Sequence, residues 1–459
     1  MKIDINVTNL GKIKDASFKI RPITLLTGPN GTGKSFFTKT LYSILNVINI
    51  NAYHLSLTKS IADSKLQLDS FKSTLNYPGA HDYKCLHNMI SSLDTLQTLL
   101  NQATEIELNE YLNYSKSKGN LIDELLSSFD SYLVSLSEKP KKKSSVTATS
   151  KKVKTSLLTL KEKLEDGKNH YTSSLADNLT NEIKDNFQIS NLLELVSFDE
   201  VVARINIDEI VRIEFGKSGV GFSLQHDFIN KISSLSRVVF FESPAYWKVR
   251  DALKSAKERA NFPFYVSGKN SNLLTGVPKY FYDLDDALKE NVKNSNESEF
   301  EFLTESIKNE LGGEFVFSGD NLVFKDHQSK KEISKNLISF GMTNLGMIHA
   351  LLNNNVITPG SFVFIDEPET NLHPRWQVLL MNSLIELADN NINIVIATHS
   401  IDMLKALEVG LKERKTSNKD DFMSTHYLDI DGQLLEFGHP SYYLQSSSHF
   451  LFAKIGTQL

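Results

Sequence analysis

Near the start of the chain, Gly28-Pro29-Asn30-Gly31-Thr32-Gly33-Lys34-Ser35 has the residue types and spacing to grip phosphate. The glycines let backbone N–H groups turn inward around an anion, and the N-terminus of a following helix adds its positive dipole end. Lys34 is placed to reach β- and γ-phosphates and Ser35 to ligate Mg²⁺, with Asn30, Gly31, Gly33 and Phe36 completing the nucleotide-holding set. Context supports the spacing. The loop follows a buried apolar run, Ile23-Thr24-Leu25-Leu26-Thr27, and precedes a helical pattern from about Ser35 to Leu45.

Two further strand ends carry chemistry. Phe362-Val363-Phe364-Ile365 runs into the paired carboxylates Asp366 and Glu367, at the edge where parallel sheets bind their ligands. Asp366 would hold the Mg²⁺ shell, and Glu367, one residue on and pointing differently, would polarise a water attacking a phosphoryl group. The run Ile392-Asn393-Ile394-Val395-Ile396-Ala397 leads to Thr398-His399-Ser400, which sets His399 at the same edge to contact a γ-phosphate.

These residues need a sheet to gather them. Residues 1–27 read as strand, turn, strand and buried strand, and Val211–Phe215, Gly221–Leu224 and Val238–Phe241 read as a return to the core sheet. Glu314–Phe317 and Asn321–Phe324, joined by Ser318-Gly319-Asp320, read as a β-hairpin. Between about 52 and 190 the chain is polar, and leucines recur at three- and four-residue spacing, as in Leu96, Leu99 and Leu100 or Leu157, Leu160 and Leu164. That stretch is expected to form a helical hairpin whose tip is the lysine tract 139–154. The tract reads first as a solvated connector; its second reading is a sequence-independent nucleic-acid grip, although no aromatics are interleaved to stack bases. The turn-like Ser243-Pro244-Ala245-Tyr246-Trp247 is given no role.

Composition narrows the class. A length of 459 residues exceeds what one core fills, so an inserted subdomain is expected. With 40% hydrophobic and 23% charged residues, no membrane-length apolar run and no apolar leader at the N-terminus, the expectation is a cytoplasmic protein with no membrane association. A net charge of −5 gives no global attraction to nucleic acid. The single cysteine, Cys85, excludes intramolecular disulfides and multi-cysteine metal sites, and is expected to be a buried or inert thiol.

The glycine-rich loop, Asp366-Glu367-Pro368, Asn371-Leu372-His373-Pro374 and Thr398-His399-Ser400 together resemble ABC-class ATPases of the SMC and overcoming-lysogenization-defect groups. The resemblance implies an α/β fold: an ABC-type P-loop NTPase head with an antiparallel β-lobe and a long helical insertion. Its domains would be 1–50, the first part of the head; 51–195, the insertion; 196–330, a mixed lobe; and 331–459, the rest of the head. It implies Mg-dependent ATP hydrolysis in a homodimer or higher oligomer, with Ser339 and Gly341 of Asn336–Gly346 capping the nucleotide of a second copy. Asn371–His373 would cross that interface. No Q-loop glutamine is evident. Only about sixty residues follow His399, too few for the Toprim nuclease of the second group. The chain is therefore similar to standalone ATPases of anti-phage systems such as Septu, PARIS or ATPase-containing retrons, as a sensor or regulatory subunit controlling a separate nuclease or toxin. Two alternatives stand beside it: a DNA-repair or chromosome-associated ATPase acting directly on DNA, and an ATP-binding scaffold without turnover.

Overall fold

The computed structural model describes residues 1–435 apart from 76–77, 105, 138–144, 218, 227, 243–244, 261–275, 290–299, 319 and 414–418. Lys139, Lys141, Lys142 and Lys143 of the lysine tract, Ser243 and Pro244, Gly319 and the end of the chain from 436 lie outside the described residues. The chain divides into two compact units, Met1–Asn49 with Leu179–Leu459, and Ile50–Asn178.

In the first unit the strands are, in chain order, β1 (Ile3–Leu10), β2 (Ile13–Ile20), β3 (Ile23–Thr27), β4 (Val202–Ile207), β5 (Val211–Gly216), β6 (Gly219–Leu224) and β7 (Val238–Phe241). Then follow β8 (Gly313–Ser318), β9 (Asn321–Asp326), β10 (Glu332–Ser334), β11 (Phe362–Asp366), β12 (Asn393–Ala397), β13 (Met423–Leu428) and β14 (Leu434–Leu435). An antiparallel sheet has the order β2-β1-β4-β5-β6, and β8 to β10 form a three-stranded antiparallel sheet. Alternating burial along β2 and β5 marks a lobe with one face on the core and one in water. The expectation for Val211–Leu224 needs correction: those residues form β5 and β6 of this lobe, and only Val238–Phe241 enters the core sheet.

That core sheet has the order β14-β13-β3-β12-β11-β7. Every pair within β13-β3-β12-β11-β7 is parallel. Strands β3, β7, β11 and β12 are buried along their whole length, because helices cover both faces of such a sheet and leave no polar side for alternation. Parallel pairing has a direct consequence. With Ile365 opposite Ile396 and Phe241, and Ile396 opposite Leu25, the carboxyl ends of four strands meet on one edge.

The second unit is helical: α2 (Ala52–Thr74), α3 (Ala80–Gln102), α4 (Leu108–Lys116), α5 (Gly119–Ser137), α6 (Ser145–Glu165) and the first part of α7 (Gly167–Phe187), following α1 (Lys34–Asn49) of the first unit. It is a bundle rather than the expected hairpin. Helix α2 packs on α3 and α6, and α5 packs on α3 and α6. Leu57, Ile61, Leu68 and Phe71 of α2 and Leu157, Leu160 and Leu164 of α6 are buried at helical spacing. Residues 145–154, expected as connector, belong to α6, where Lys154 pairs with Asp130. Cys85 is half-exposed beside His81 rather than buried. Among the described residues no helix is long and apolar enough to cross a membrane.

Candidate functional site

The loop leaving β3 turns sharply at Gly28, which has φ 134°; a Cβ there would stand 2.0 Å from the carbonyl oxygen of Leu428. Only glycine fits this approach. The loop then runs into α1, whose first residue, Lys34, is 5% exposed. Its Nζ donates to the carbonyls of Gly28 and Pro29 at 2.9 and 2.8 Å. Burial lowers the Lys34 pKa, while Asp366, Glu367 and Glu369 oppose that fall. Asn30, Gly31, Gly33, Lys34, Ser35 and Phe36 all line one cavity of about 810 Å³, and Glu367 and His399 open onto it.

Asp366 ends β11 and is 7% exposed. Burial is the main cause that pushes its pKa up to about 6; a hydrogen bond from Ser35 and the charge of Lys39 pull the other way. Its Oδ1 is buried without a partner. An orphaned carboxylate oxygen beside a serine hydroxyl is a donor set of the hard, oxygen type that Mg²⁺ takes, so Ser35 and Asp366 fit that ion. Glu367 follows in a left-handed conformation, φ 50°, with its N–H bonded to Ala397 O at 2.8 Å. From this kink Glu367 lines the cavity.

His399 joins the loop to the carboxylate. Its Nδ1 lies 3.0 Å from Gly28 O and its Nε2 3.2 Å from Glu367 Oε1. Glu369 fixes this turn by accepting from Thr398 Oγ1 and from His399 N, each at 2.7 Å. The side chain that reaches the cavity is His399, and Glu369 is what orients it.

The segment Asn336–Gly346 is placed differently. Ser339 caps the helix Phe340–Asn353, its Oγ accepting from Met342 N at 3.2 Å, which leaves the hydroxyl proton free to donate. Ser339 is exposed, and Leu337 and Phe340 beside it are 80% and 40% exposed. Gly341 is buried: a Cβ there would come within 2.7 Å of Asn371 O, so this glycine admits the 368–372 segment to close contact. Neither Ser339 nor Gly341 lines the cavity of its own chain. Asn371 takes a left-handed turn, φ 62°, and His373 caps the helix Pro374–Asp389, with Pro374 in its first turn.

Sequence reasoning missed two groups. Glu242 follows β7, in register beside Asp366; it pairs with Lys39 of α1 at 2.6 Å and accepts from the Tyr280 hydroxyl. An apolar strand ending in a carboxylate was the available signal, the same one that marks Asp366. The second is the apolar wall of the cavity, Leu193 of the short 3-10 turn Leu192–Leu195 with Val196, Phe198 and Val201 after it, which no periodicity marks.

A protein-family model described as AAA ATPase domain (AAA_15) matches residues 1–404. No curated protein matches the chain. Among solved structures, the SMC head domain from Thermotoga maritima is 9% identical with a TM-score of 0.35, covering 95% of this chain and 100% of that one. The Smc head domain with an extended coiled coil, bound to the C-terminal domain of ScpA and derived from Pyrococcus furiosus, is 11% identical with a TM-score of 0.39, covering 99% and 100%. An ATP-binding cassette of an ABC transporter in its ADP conformation, MJ1267, is 11% identical with a TM-score of 0.33, covering 97% and 94%.

Proposed function

We propose, from the premise that this chain belongs to the AAA ATPase domain family, that it binds ATP with Mg²⁺ in the Gly28–Ser35 loop and hydrolyses it with Glu367 as general base. The observation that carries this reading is the meeting of Lys34, Ser35, Asp366, Glu367 and His399 at one edge of a parallel sheet, with Asp366 Oδ1 buried and unpartnered. A magnesium ion held by Ser35 and Asp366 would neutralise charge on the β- and γ-phosphate oxygens.

The chain's own residues then divide the work. Lys34 exchanges the carbonyls of Gly28 and Pro29 for phosphate oxygens, and loop N–H groups surround the anion. Glu367 takes a proton from the attacking water, an assignment supported by its position in the cavity and its contact with His399. His399 Nε2, 3.2 Å from Glu367 Oε1, would exchange that contact for a γ-phosphate oxygen, its Nδ1 staying on Gly28 O. The test is Mg-dependent turnover beside nucleotide binding: Glu367→Gln should bind ATP normally and lose about 10²- to 10⁴-fold in hydrolysis rate. Unchanged hydrolysis would remove Glu367 from its role.

The site is completed by a second copy of the chain. The exposed Ser339, with a free hydroxyl proton at a helix N-terminus and two exposed apolar neighbours, supports a surface that meets another molecule. The finer reading is a cytoplasmic regulatory subunit that controls a separate effector, a nuclease or toxin, in prokaryotic anti-phage defence. It rests on the sequence resemblance alone. Its test is the co-expressed neighbouring gene product: failure to associate with the chain, with and without ATP, would remove it.

A further inference from the structure

The cavity is larger than a triphosphate needs. Its volume of about 810 Å³ lies in the range of sites for whole small molecules. The phosphate loop forms one wall, and the other is built by Leu193, Val196, Phe198 and Val201, with Lys12 and Lys217 at its rim. Phe198 is fully exposed and Val201 is 75% exposed. A phenylalanine left in water forgoes the burial of roughly 150 Å² or more. A ligand that covers it recovers this.

The backbone that presents Phe198 is held firmly. Gly11 N donates to Leu195 O at 2.8 Å, and Ser197 N to Asn9 O at 3.0 Å. Ser197 Oγ donates to Gly11 O at 2.6 Å. A turn closed by Glu200 N and Ser197 O, at 3.0 Å, then sets Phe198 directly after the anchored residue. The same strand pair, β1 and β2, therefore supports both this segment and the cavity lining at Gly11 and Lys12. Phe36, the other phenylalanine that lines the cavity, is packed edge-on against Phe187 with centroids 5.0 Å apart. Phe198 is the phenylalanine whose face is open.

We propose that Phe198 is the stacking face for the base of the nucleoside triphosphate whose phosphates occupy the Gly28–Ser35 loop, with Val196 and Val201 enclosing the base edge. The inference rests on the reading that a triphosphate binds there. Every nucleobase has a π face, so stacking gives affinity without strong discrimination, and ATP and GTP should bind with similar strength. The carboxylate of Glu194, which lines the same wall, accepts from Asn191 N at 3.2 Å in its own helical cap.

The experiment compares a ligand that has a base with one that has none. Equilibrium binding of ATP, GTP and inorganic tripolyphosphate, all with Mg²⁺, is measured for the full chain and for Phe198→Ala and Phe198→Tyr. Removing the ring should weaken ATP and GTP about 5- to 100-fold and leave tripolyphosphate within about twofold, while Phe198→Tyr keeps both nucleotides. The indole introduced by Phe198→Trp should lose fluorescence on addition of ATP and keep it on addition of tripolyphosphate. Equal losses for all three ligands in Phe198→Ala would mean that the side chain serves only the fold, and no loss would mean that the base lies elsewhere; either result overturns the proposal. If the unmodified chain binds tripolyphosphate and ATP equally weakly or not at all, the triphosphate reading itself falls and this one with it.

Discussion

Removing the carboxylate of Asp366 should make the nucleotide-free protein more stable while destroying its response to magnesium. Burial holds the Asp366 pKa at about 6 against an ordinary 3.8, so the folded chain resists ionising this group. The sign follows from linkage: below pH 3.8 both states carry the proton and nothing is lost, between 3.8 and about 6 the folded state keeps a proton that the unfolded state has released, and above 6 the cost is complete. Stability therefore falls as pH rises through that window. A difference of about 2.2 at about 1.36 kcal/mol per pH unit gives about 3 kcal/mol at pH 7, and the same expression gives about 1 kcal/mol at pH 4.5. Asp366→Asn keeps the shape and removes the charge. Thermal or denaturant unfolding of both proteins without nucleotide should place the variant above the unmodified chain at pH 7 by up to about 3 kcal/mol, with the gap closing towards pH 4.5. With MgATP the order should reverse, since only the unmodified chain gains RT ln(1 + [L]/Kd) from the metal complex. A variant no more stable at pH 7, or a gap independent of pH, would refute the view that an incompletely compensated buried charge waits at this position for a cation.

Two further outcomes are expected, the first from the proposed pairing of two copies and the second from the phosphate loop. Lys34→Ala and Ser339→Arg should each abolish turnover alone, and mixing them should restore a fraction of it in heterodimers that pair an intact loop with an intact Ser339; formation of heterodimers without recovery would mean that each chain acts by itself. Gly28→Ala should destabilise the fold by about 2–4 kcal/mol because its Cβ would meet backbone at 2.0 Å, whereas Gly31→Ala, at φ 72° with nothing within 4 Å, should cost about 1 kcal/mol. Equal effects in a denaturant titration would show that the Leu428 contact yields easily.

How far the site could be read from the residues alone depends on whether each group is placed by local or by distant contacts. Lys34 and Ser35 are legible from the glycine spacing of Gly28–Ser35, and Asp366, Glu367 and His399 from the buried parallel strands they end or follow, since such a strand announces its own end when polar residues begin. Glu242 satisfies the same rule after Val238–Phe241, yet its meaning depends on β7 lying next to β11. Those strands are more than a hundred residues apart in the chain, and nothing in either encodes the order of the sheet. Glu369 is harder still: a carboxylate two residues after Glu367 reads as a solvated turn until Thr398 and His399 are seen to donate to it. The helical insertion fails in the opposite direction. Leucine spacing reported helices correctly, but the breaks between them are made by weak local devices, such as Asp82 accepting from Gly79 N at 2.8 Å, so several helices were merged into two arms. Phe198 carries the lesson furthest, since an isolated exposed phenylalanine in a loop is ordinary on any surface. It acquires a role only because the hydrogen bonds between residues 9–11 and 195–197 bring it to the rim of the phosphate loop, and a contact across nearly two hundred residues leaves no spacing for a reader of the sequence to find.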